Sequence, residues 1–253
     1  MSQIIVKVAC HLTTFNDLNA IQFAYSQKKW EANLQSLLNL LNLSTPNSLS
    51  LAPELCLSAY SYENMDNVAE FSKYAIPKIL QSTKDKTLGL TLTVKENGNF
   101  YNRFMLFDNE KIIYTQDKAK LFPLGNEPKH FNFGTISNIK PFTCKDLKIG
   151  VLICFELRFT ELWQQLKGCD IILVPAFWGK SRKEHFETLS QALAIINQCF
   201  VIVSNSTDED MCSSSAIIDP FGKLVRDDSK NHLSMKFDKK IIKKMRRYID
   251  IGL

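Results

Sequence analysis

Residues 149–159 read Ile149-Gly150-Val151-Leu152-Ile153-Cys154-Phe155-Glu156-Leu157-Arg158-Phe159. The first five are apolar without a break, the pattern of a strand covered on both faces, as in a parallel sheet flanked by helices. The run stops on a cysteine and helical spacing takes over through Leu166. A strand that ends on a nucleophile and turns sharply lifts that side chain above the carboxyl end of its sheet. There the next backbone N–H groups can face a developing oxyanion. A cysteine taken alone is more often a small buried hydrophobe, so its partners must decide.

Outward from this stretch, hydrophobic periodicity lays out the remaining elements. Strands are predicted at 4–10, 48–52, 88–94, 103–107, 111–115, 147–153, 170–174, 200–204, 214–218, 223–225 and 233–237. Helices are predicted over 26–43, 65–80 and 181–197, the last with Phe186, Leu189, Leu193 and Ile196 on one face. Between 122 and 142 lies a turn-rich stretch with Pro123, Gly125, Pro128, Gly134 and Pro141; long loops of this kind inside a compact domain are often functional. Strands alternate with helices early and in the middle, and later strands can pair antiparallel. That order fits an α/β fold with mixed sheets and helices outside. No composition shift marks a second unit, so 1–253 is expected to form a single domain.

The 253 residues are 45% hydrophobic and 23% charged, ordinary globular values. Much of the +5 net charge sits in Lys239, Lys240, Lys243, Lys244, Arg246 and Arg247, interleaved with Ile241, Ile242, Met245 and Tyr248. This reads as a terminal amphipathic helix with a solvated basic face, and nothing interleaves aromatic and basic residues as in nucleic-acid binding. Seven dispersed cysteines without a CxxC pair are expected to be reduced thiols in a cytoplasmic protein. No apolar run approaches the roughly 20 residues that span a bilayer.

A thiol with an ordinary pKa needs a base or a cation at neutral pH. Histidine is scarce (His11, His130, His185 and His232), and none sits in a cysteine-protease context. A carboxylate and a lysine can take its place. Glu54, in Leu51-Ala52-Pro53-Glu54-Leu55-Cys56-Leu57-Ser58-Ala59-Tyr60, follows a strand within apolar surroundings where a lone exposed charge is out of place. Lys118 and Lys120, in Gln116-Asp117-Lys118-Ala119-Lys120-Leu121-Phe122, cannot be told apart by periodicity.

Five stretches in order together resemble the nitrilase-like carbon–nitrogen hydrolase superfamily. They are Pro53-Glu54-Leu55 through Tyr60, Lys118 through Phe122, Cys154 through Phe159, Pro175-Ala176-Phe177-Trp178, and Ile217-Ile218-Asp219-Pro220-Phe221-Gly222. The resemblance covers essentially the whole chain. It implies a four-layer α-β-β-α sandwich of two mixed sheets, with Cys154 as nucleophile, Glu54 as general base and Lys118 as oxyanion-stabilising cation. Glu127, seven residues before Gly134, matches a second glutamate of the pattern. No metal or organic cofactor is implied, and relatives pair through a helix face, so a homodimer or larger assembly is expected.

Phe155-Glu156-Leu157-Arg158-Phe159 after the cysteine resembles the amidase branch, and the segment from Trp178 through the following helix resembles omega-amidase-like members. The implied reaction hydrolyses a small linear amide through a cysteine thioester and releases ammonia. The alternatives are an N-carbamoyl amine or a nitrile at the same site, or a silent ligand-binding protein on the same scaffold. Tyr60, Phe155, Arg158, Trp178 and Arg182 are the candidate substrate contacts, with a structural ion pair the expected fate of either arginine. Three departures stand out. Leu193 and Ile196 occupy the charged positions of an Arg-Ala-x-Glu-Asn run, so a presumed ion pair is replaced by aliphatics. Ala59 and Ser213 stand where glycine is usual.

Overall fold

A computed structural model describes residues 14–253, so the strand predicted at 4–10 lies outside the described residues, as do Cys10 and His11. Two six-stranded sheets form, ordered β12-β1-β2-β3-β4-β5 and β11-β10-β9-β8-β7-β6. The first holds β1 (Asp17–Ile21), β2 (Ser48–Leu51), β3 (Thr87–Glu96), β4 (Asn99–Asp108), β5 (Lys111–Asp117) and β12 (His232–Lys236). The second holds β6 (Phe142–Cys144), β7 (Leu147–Val151), β8 (Ile171–Pro175), β9 (Phe200–Ser204), β10 (Ala216–Ile218) and β11 (Leu224–Arg226).

Both sheets repeat one scheme. In the first, β1, β2 and β3 are parallel and β3-β4-β5 continue antiparallel, with β12 antiparallel on the other side of β1. In the second, β7, β8 and β9 are parallel, β9-β10-β11 continue antiparallel, and β6 flanks β7. Helical crossovers join the parallel strands in each half: α1 (Trp30–Asn42) and α2 (Met65–Ser82), then α3 (Thr160–Gln165) and α4 (Lys183–Asn197). Parallel neighbours need such crossovers, because a tight turn cannot reverse the chain twice.

The sheets meet face to face. Leu18, Ala20, Leu49, Leu51, Phe104 and Leu106 of one share a buried cluster with Val151, Leu173, Val201, Val203 and Ile217 of the other. The alternate residues Leu88, Leu90 and Leu92 of β3 turn outward onto Leu34, Leu37 and Leu41 of α1 and Ala75 and Ile79 of α2. Each fully buried side chain of this size contributes about 1.5–3 kcal/mol by leaving water. On the other side Phe186, Leu193 and Ala194 of α4 close the fourth layer, giving the expected α-β-β-α sandwich. Two strands escaped the sequence reading, β1 and the three-residue β6. The helix predicted past Cys154 is broken into a 3₁₀ turn, Cys154–Arg158, followed by α3.

The terminal helix α5 (Lys239–Tyr248) buries Ile242 and Met245 and exposes Lys240, Lys243, Lys244 and Arg247, a solvated basic face as expected. One expectation for α4 fails in part. Leu193 packs fully, but Ile196 is 50% exposed, so only one of the two aliphatics is buried where charges were expected. Among the described residues no helix is long and apolar enough to cross a membrane.

Candidate active site

Four strand ends supply the site. β5 runs parallel to β1–β3, so Glu54 after β2 and Lys118 after β5 emerge at the carboxyl edge of the first sheet. Cys154 after β7 and Phe177-Trp178 after β8 emerge at the carboxyl edge of the second, and the Glu54 N–H bonds the Ala176 carbonyl at 3.2 Å, joining the two. Cys154 sits at φ +52, the left-handed region that a sharp strand-to-helix turn demands, which for a non-glycine residue costs about 1–2 kcal/mol.

Lys118 is fully buried and donates to Glu54 Oε1 and to Glu127 Oε1, each at 2.7 Å. Asn102 Nδ2 donates to the same Glu54 Oε1 at 2.8 Å, whereas Glu54 Oε2 is buried with no partner among the described residues. Burial works against the Lys118 ammonium, but Glu54 and Glu127 outweigh it and hold its pKa above the usual value. Burial pushes the Glu127 carboxyl up, opposed by the Lys118 charge. Burial first, and then the Glu54 charge, push the Cys154 thiol well above its ordinary range. Burial and the Glu54 charge thus both oppose a standing thiolate at Cys154. Lys120, by contrast, points away toward Glu161 at 3.6 Å.

Glu127 comes from the 122–142 stretch, which is pinned and not loose. Its Oε2 accepts the Phe122 N–H at 3.1 Å, Tyr60 donates to its Oε1 at 2.9 Å, and Tyr62 donates to the Gly125 carbonyl at 2.7 Å. The Gly134 N–H bonds the Lys118 carbonyl at 2.8 Å; a Cβ on Gly134 would sit 2.2 Å from the Asp117 carbonyl oxygen, so only glycine lets the loop close there.

A pocket of about 330 Å³ opens over Cys154, walled by Tyr60, Tyr62, Phe122, Phe177 and Met211, with Glu127 at its base and Arg182 at its rim. A narrower cleft beside it is lined by Phe155, Arg158 and Trp178. The five candidate contacts thus all border Cys154, although the Tyr60 hydroxyl is already committed to Glu127. Neither arginine takes the ion pair expected of it. Among the described residues Arg158 stacks on Trp178 (4.5 Å to the ring centre) and reaches His185 Nδ1 at 3.2 Å, and Arg182 lies over Phe122 at 5.4 Å. The sequence reading missed Asn102 and Phe177, whose N–H approaches Cys154 Sγ at 3.5 Å. Phe177 stood inside a recognised motif; Asn102 carried no local signal. Among the described residues no cluster of His, Cys, Asp and Glu could hold a metal ion.

The two departures from glycine both fall in the left-handed region, Ala59 at φ +49 and Ser213 at φ +53. Relieving that strain is worth about 1–2 kcal/mol, and the extra freedom glycine gives the unfolded chain takes back about 0.4–1. Ala59→Gly and Ser213→Gly are each expected to stabilise the protein by about 0.5–1 kcal/mol, read from denaturant unfolding; a loss of stability in both would contradict the strain.

The carbon–nitrogen hydrolase profile matches residues 19–235. The chain belongs to that family. It is 28% identical over 220 residues to the 2-oxoglutaramate amidase of Bacillus subtilis, covering 82% of this chain and 84% of the relative. It is 24% identical over 217 residues to the deaminated glutathione amidase of Escherichia coli O157:H7, covering 81% and 82%. Its fold superposes on Saccharomyces cerevisiae Nit3, a nitrilase-superfamily member, with a TM-score of 0.83 at 20% identity over 94% of this chain and 95% of the other. This carbon–nitrogen hydrolase is an enzyme of amidase type.

Proposed function

We propose that this hydrolase removes ammonia from the terminal amide of a small linear substrate that also carries a carboxylate, in the manner of an omega-amidase. The carrying observation is the pairing of a buried Glu54–Lys118–Glu127 cluster beside Cys154 with two arginines, at the pocket above it, that have no carboxylate partner among the described residues. An unneutralised guanidinium matches a carboxylate in charge and fork geometry.

In the proposed reaction Cys154 Sγ attacks the amide carbon as Glu54 Oε2, the unpartnered oxygen, takes the thiol proton. Lys118 and the Phe155 N–H, which has no intrahelical acceptor at the first turn, stabilise the oxyanion. The carbon–nitrogen bond breaks as Glu54 passes its proton to nitrogen, leaving ammonia and a thioester. Glu54 then deprotonates a water that attacks the thioester, giving the carboxylate product and the free thiol. Glu127 orients Lys118 throughout.

Ammonia release from matched substrates tests this reading. Short omega-amides are expected to turn over well, with the corresponding nitriles and N-carbamoyl amines far behind; no ammonia from any amide would sink it. Arg182→Met is expected to raise KM for a carboxylate-bearing amide by about 10–100-fold, the loss of one charge-assisted bond, and to leave a neutral amide of equal length unchanged. Equal effects on both would remove Arg182 from substrate recognition. The six described cysteines are free thiols, which suits a cytoplasmic enzyme. Ile195 and Ile196 on α4, 41% and 50% exposed, suit pairing of two copies, which sedimentation would register as a dimer.

A further inference from the structure

Glu156 takes no part in the reaction just described, yet it is fully buried. Its Oε2 accepts the Ile153 N–H at 2.7 Å, and its Oε1 accepts the Ala119 N–H at 2.6 Å and the Lys120 N–H at 3.4 Å. Ile153 precedes the nucleophile and Ala119 follows the catalytic lysine. These two segments belong to different sheets, β7 and β5, and between the strands themselves the described residues show a single, longer hydrogen bond, from Gln116 Nε2 to the Val151 carbonyl at 3.3 Å. Both segments also resist their conformations: Cys154 is held at φ +52, and Lys118 is an ammonium wholly out of water. Strained or desolvated groups of this kind persist only where their surroundings over-determine them.

We infer that Glu156 is a positioning residue of the active site, one buried carboxylate that fixes the Cys154 elbow and the Lys118 segment in a single mutual register. Three N–H donors on an ionised acceptor are charge-assisted bonds, about twice the strength of neutral ones. At the elbow the contact is the reach-back half of a capping box, an acidic side chain at the third helical position bonding the N-cap N–H. The inference rests on the amidase reading for what the register is for, but the geometry stands without it.

The clamp works only while Glu156 is ionised. A proton on the carboxyl removes its charge and weakens the acceptor in all three bonds. Burial pushes this carboxyl up to about 7, against the pull of its three N–H donors and of the Lys118 charge. The other titratable group that feels it is Tyr114 on β5, which burial and then the Glu156 charge push up to about 12. The folded-state pKa thus lies above the unfolded value, so the folded state favours the proton. Stability rises as pH falls from 7 toward 5, while the register needed for reaction is lost over the same range. Glu127, also pushed up by burial, adds to the stability trend, so the mark of this device is the part of both trends that disappears in Glu156→Gln.

The test compares the full-length protein with Glu156→Gln in three measurements: kcat and KM on an omega-amide between pH 5 and 8, the rate of Cys154 alkylation by iodoacetamide over the same range, and unfolding against pH. In the variant one side of the clamp keeps its oxygen acceptor and the other faces an amide donor. We expect kcat to fall roughly 100-fold, the cost of about 1 Å of misplacement, with KM within twofold and the acid limb near pH 7 abolished. A variant within threefold of wild-type kcat, or one keeping that limb, overturns the inference. Should that variant fail to fold, Glu156→Asp, which keeps the charge and shortens the reach, decides: a fall in kcat of more than tenfold with KM within twofold supports the clamp, and a kcat within threefold of wild type refutes it. Because alkylation needs no substrate, a protein that shows the clamp but releases no ammonia would sink the amidase reading and leave Glu156 its role.

Discussion

Lys118→Met should unfold about 3–5 kcal/mol more easily than the native protein at pH 8, the usual cost of removing one partner from a buried ion cluster. The methionine fills the volume of the lysine stem, so little of the loss is packing. What remains is Glu54 and Glu127, both buried, which share the ammonium at 2.7 Å each and would face one another with nothing between them. Two close carboxylates cannot both stay ionised in such surroundings, so the folded state captures a proton that the unfolded chain does not hold. Their folded pKa then lies above the unfolded value, and stability is present at low pH and lost as pH rises. The variant should therefore recover much of its deficit at pH 5, read from denaturant midpoints at the two pH values. Its kcat/KM should fall by roughly 10³-fold or more through loss of the proposed oxyanion donor. Equal stability of variant and wild type at pH 8 would mean that the cluster is not the charge triad described above.

That triad shows how far a sequence can be read. The strands at 147–153, 170–174 and 200–204 were legible because a sheet covered on both faces leaves an unbroken apolar run. β1 was not, because Asp17 and Asn19 interrupt it; both are buried, Asp17 against Thr45 and Lys236, and Asn19 against Ser50, partners that only the folded sheet supplies. Cys154 stood at a strand end, but only its partners and the resemblance raised it above a buried hydrophobe, and Lys118 and Lys120, two positions apart, were separable only through resemblance. In the fold the distinction is physical: one ammonium meets two carboxylates out of water, and the other is partly solvated beside Glu161. Asn102 was invisible, since its function is to lie opposite Glu54 across a strand boundary, and no local pattern encodes that. The positions at Ala59 and Ser213 run the other way. A missing glycine was plain in the sequence, and the left-handed backbone explains why glycine is usual there.

Glu54→Gln should lose about 10⁴-fold in kcat, the upper range for a general base, while unfolding within about 1 kcal/mol of wild type at neutral pH. The two halves of that expectation come from the two oxygens. Oε1 is saturated, accepting Lys118 at 2.7 Å and Asn102 at 2.8 Å, and a glutamine carbonyl can replace it in place. Oε2 has no partner, so the amide nitrogen that takes its position breaks no existing bond. Removing one of two carboxylates leaves Lys118 paired with Glu127, a neutral buried pair in place of a net negative cluster. Chemistry is expected to suffer because burial, and then Glu54 itself, hold the thiol above its usual range and so disfavour a thiolate that could react unaided. A mechanism in which the Lys118 ammonium alone stabilised a standing thiolate, without Glu54 as base, predicts the opposite. Deleting the Glu54 charge lowers the thiol pKa in either case, but only where Glu54 is not the base would that speed alkylation. The iodoacetamide rate of Cys154 in Glu54→Gln thus separates the two. A large slowing assigns the proton to Oε2, and an increase would transfer the activation of the nucleophile to the lysine.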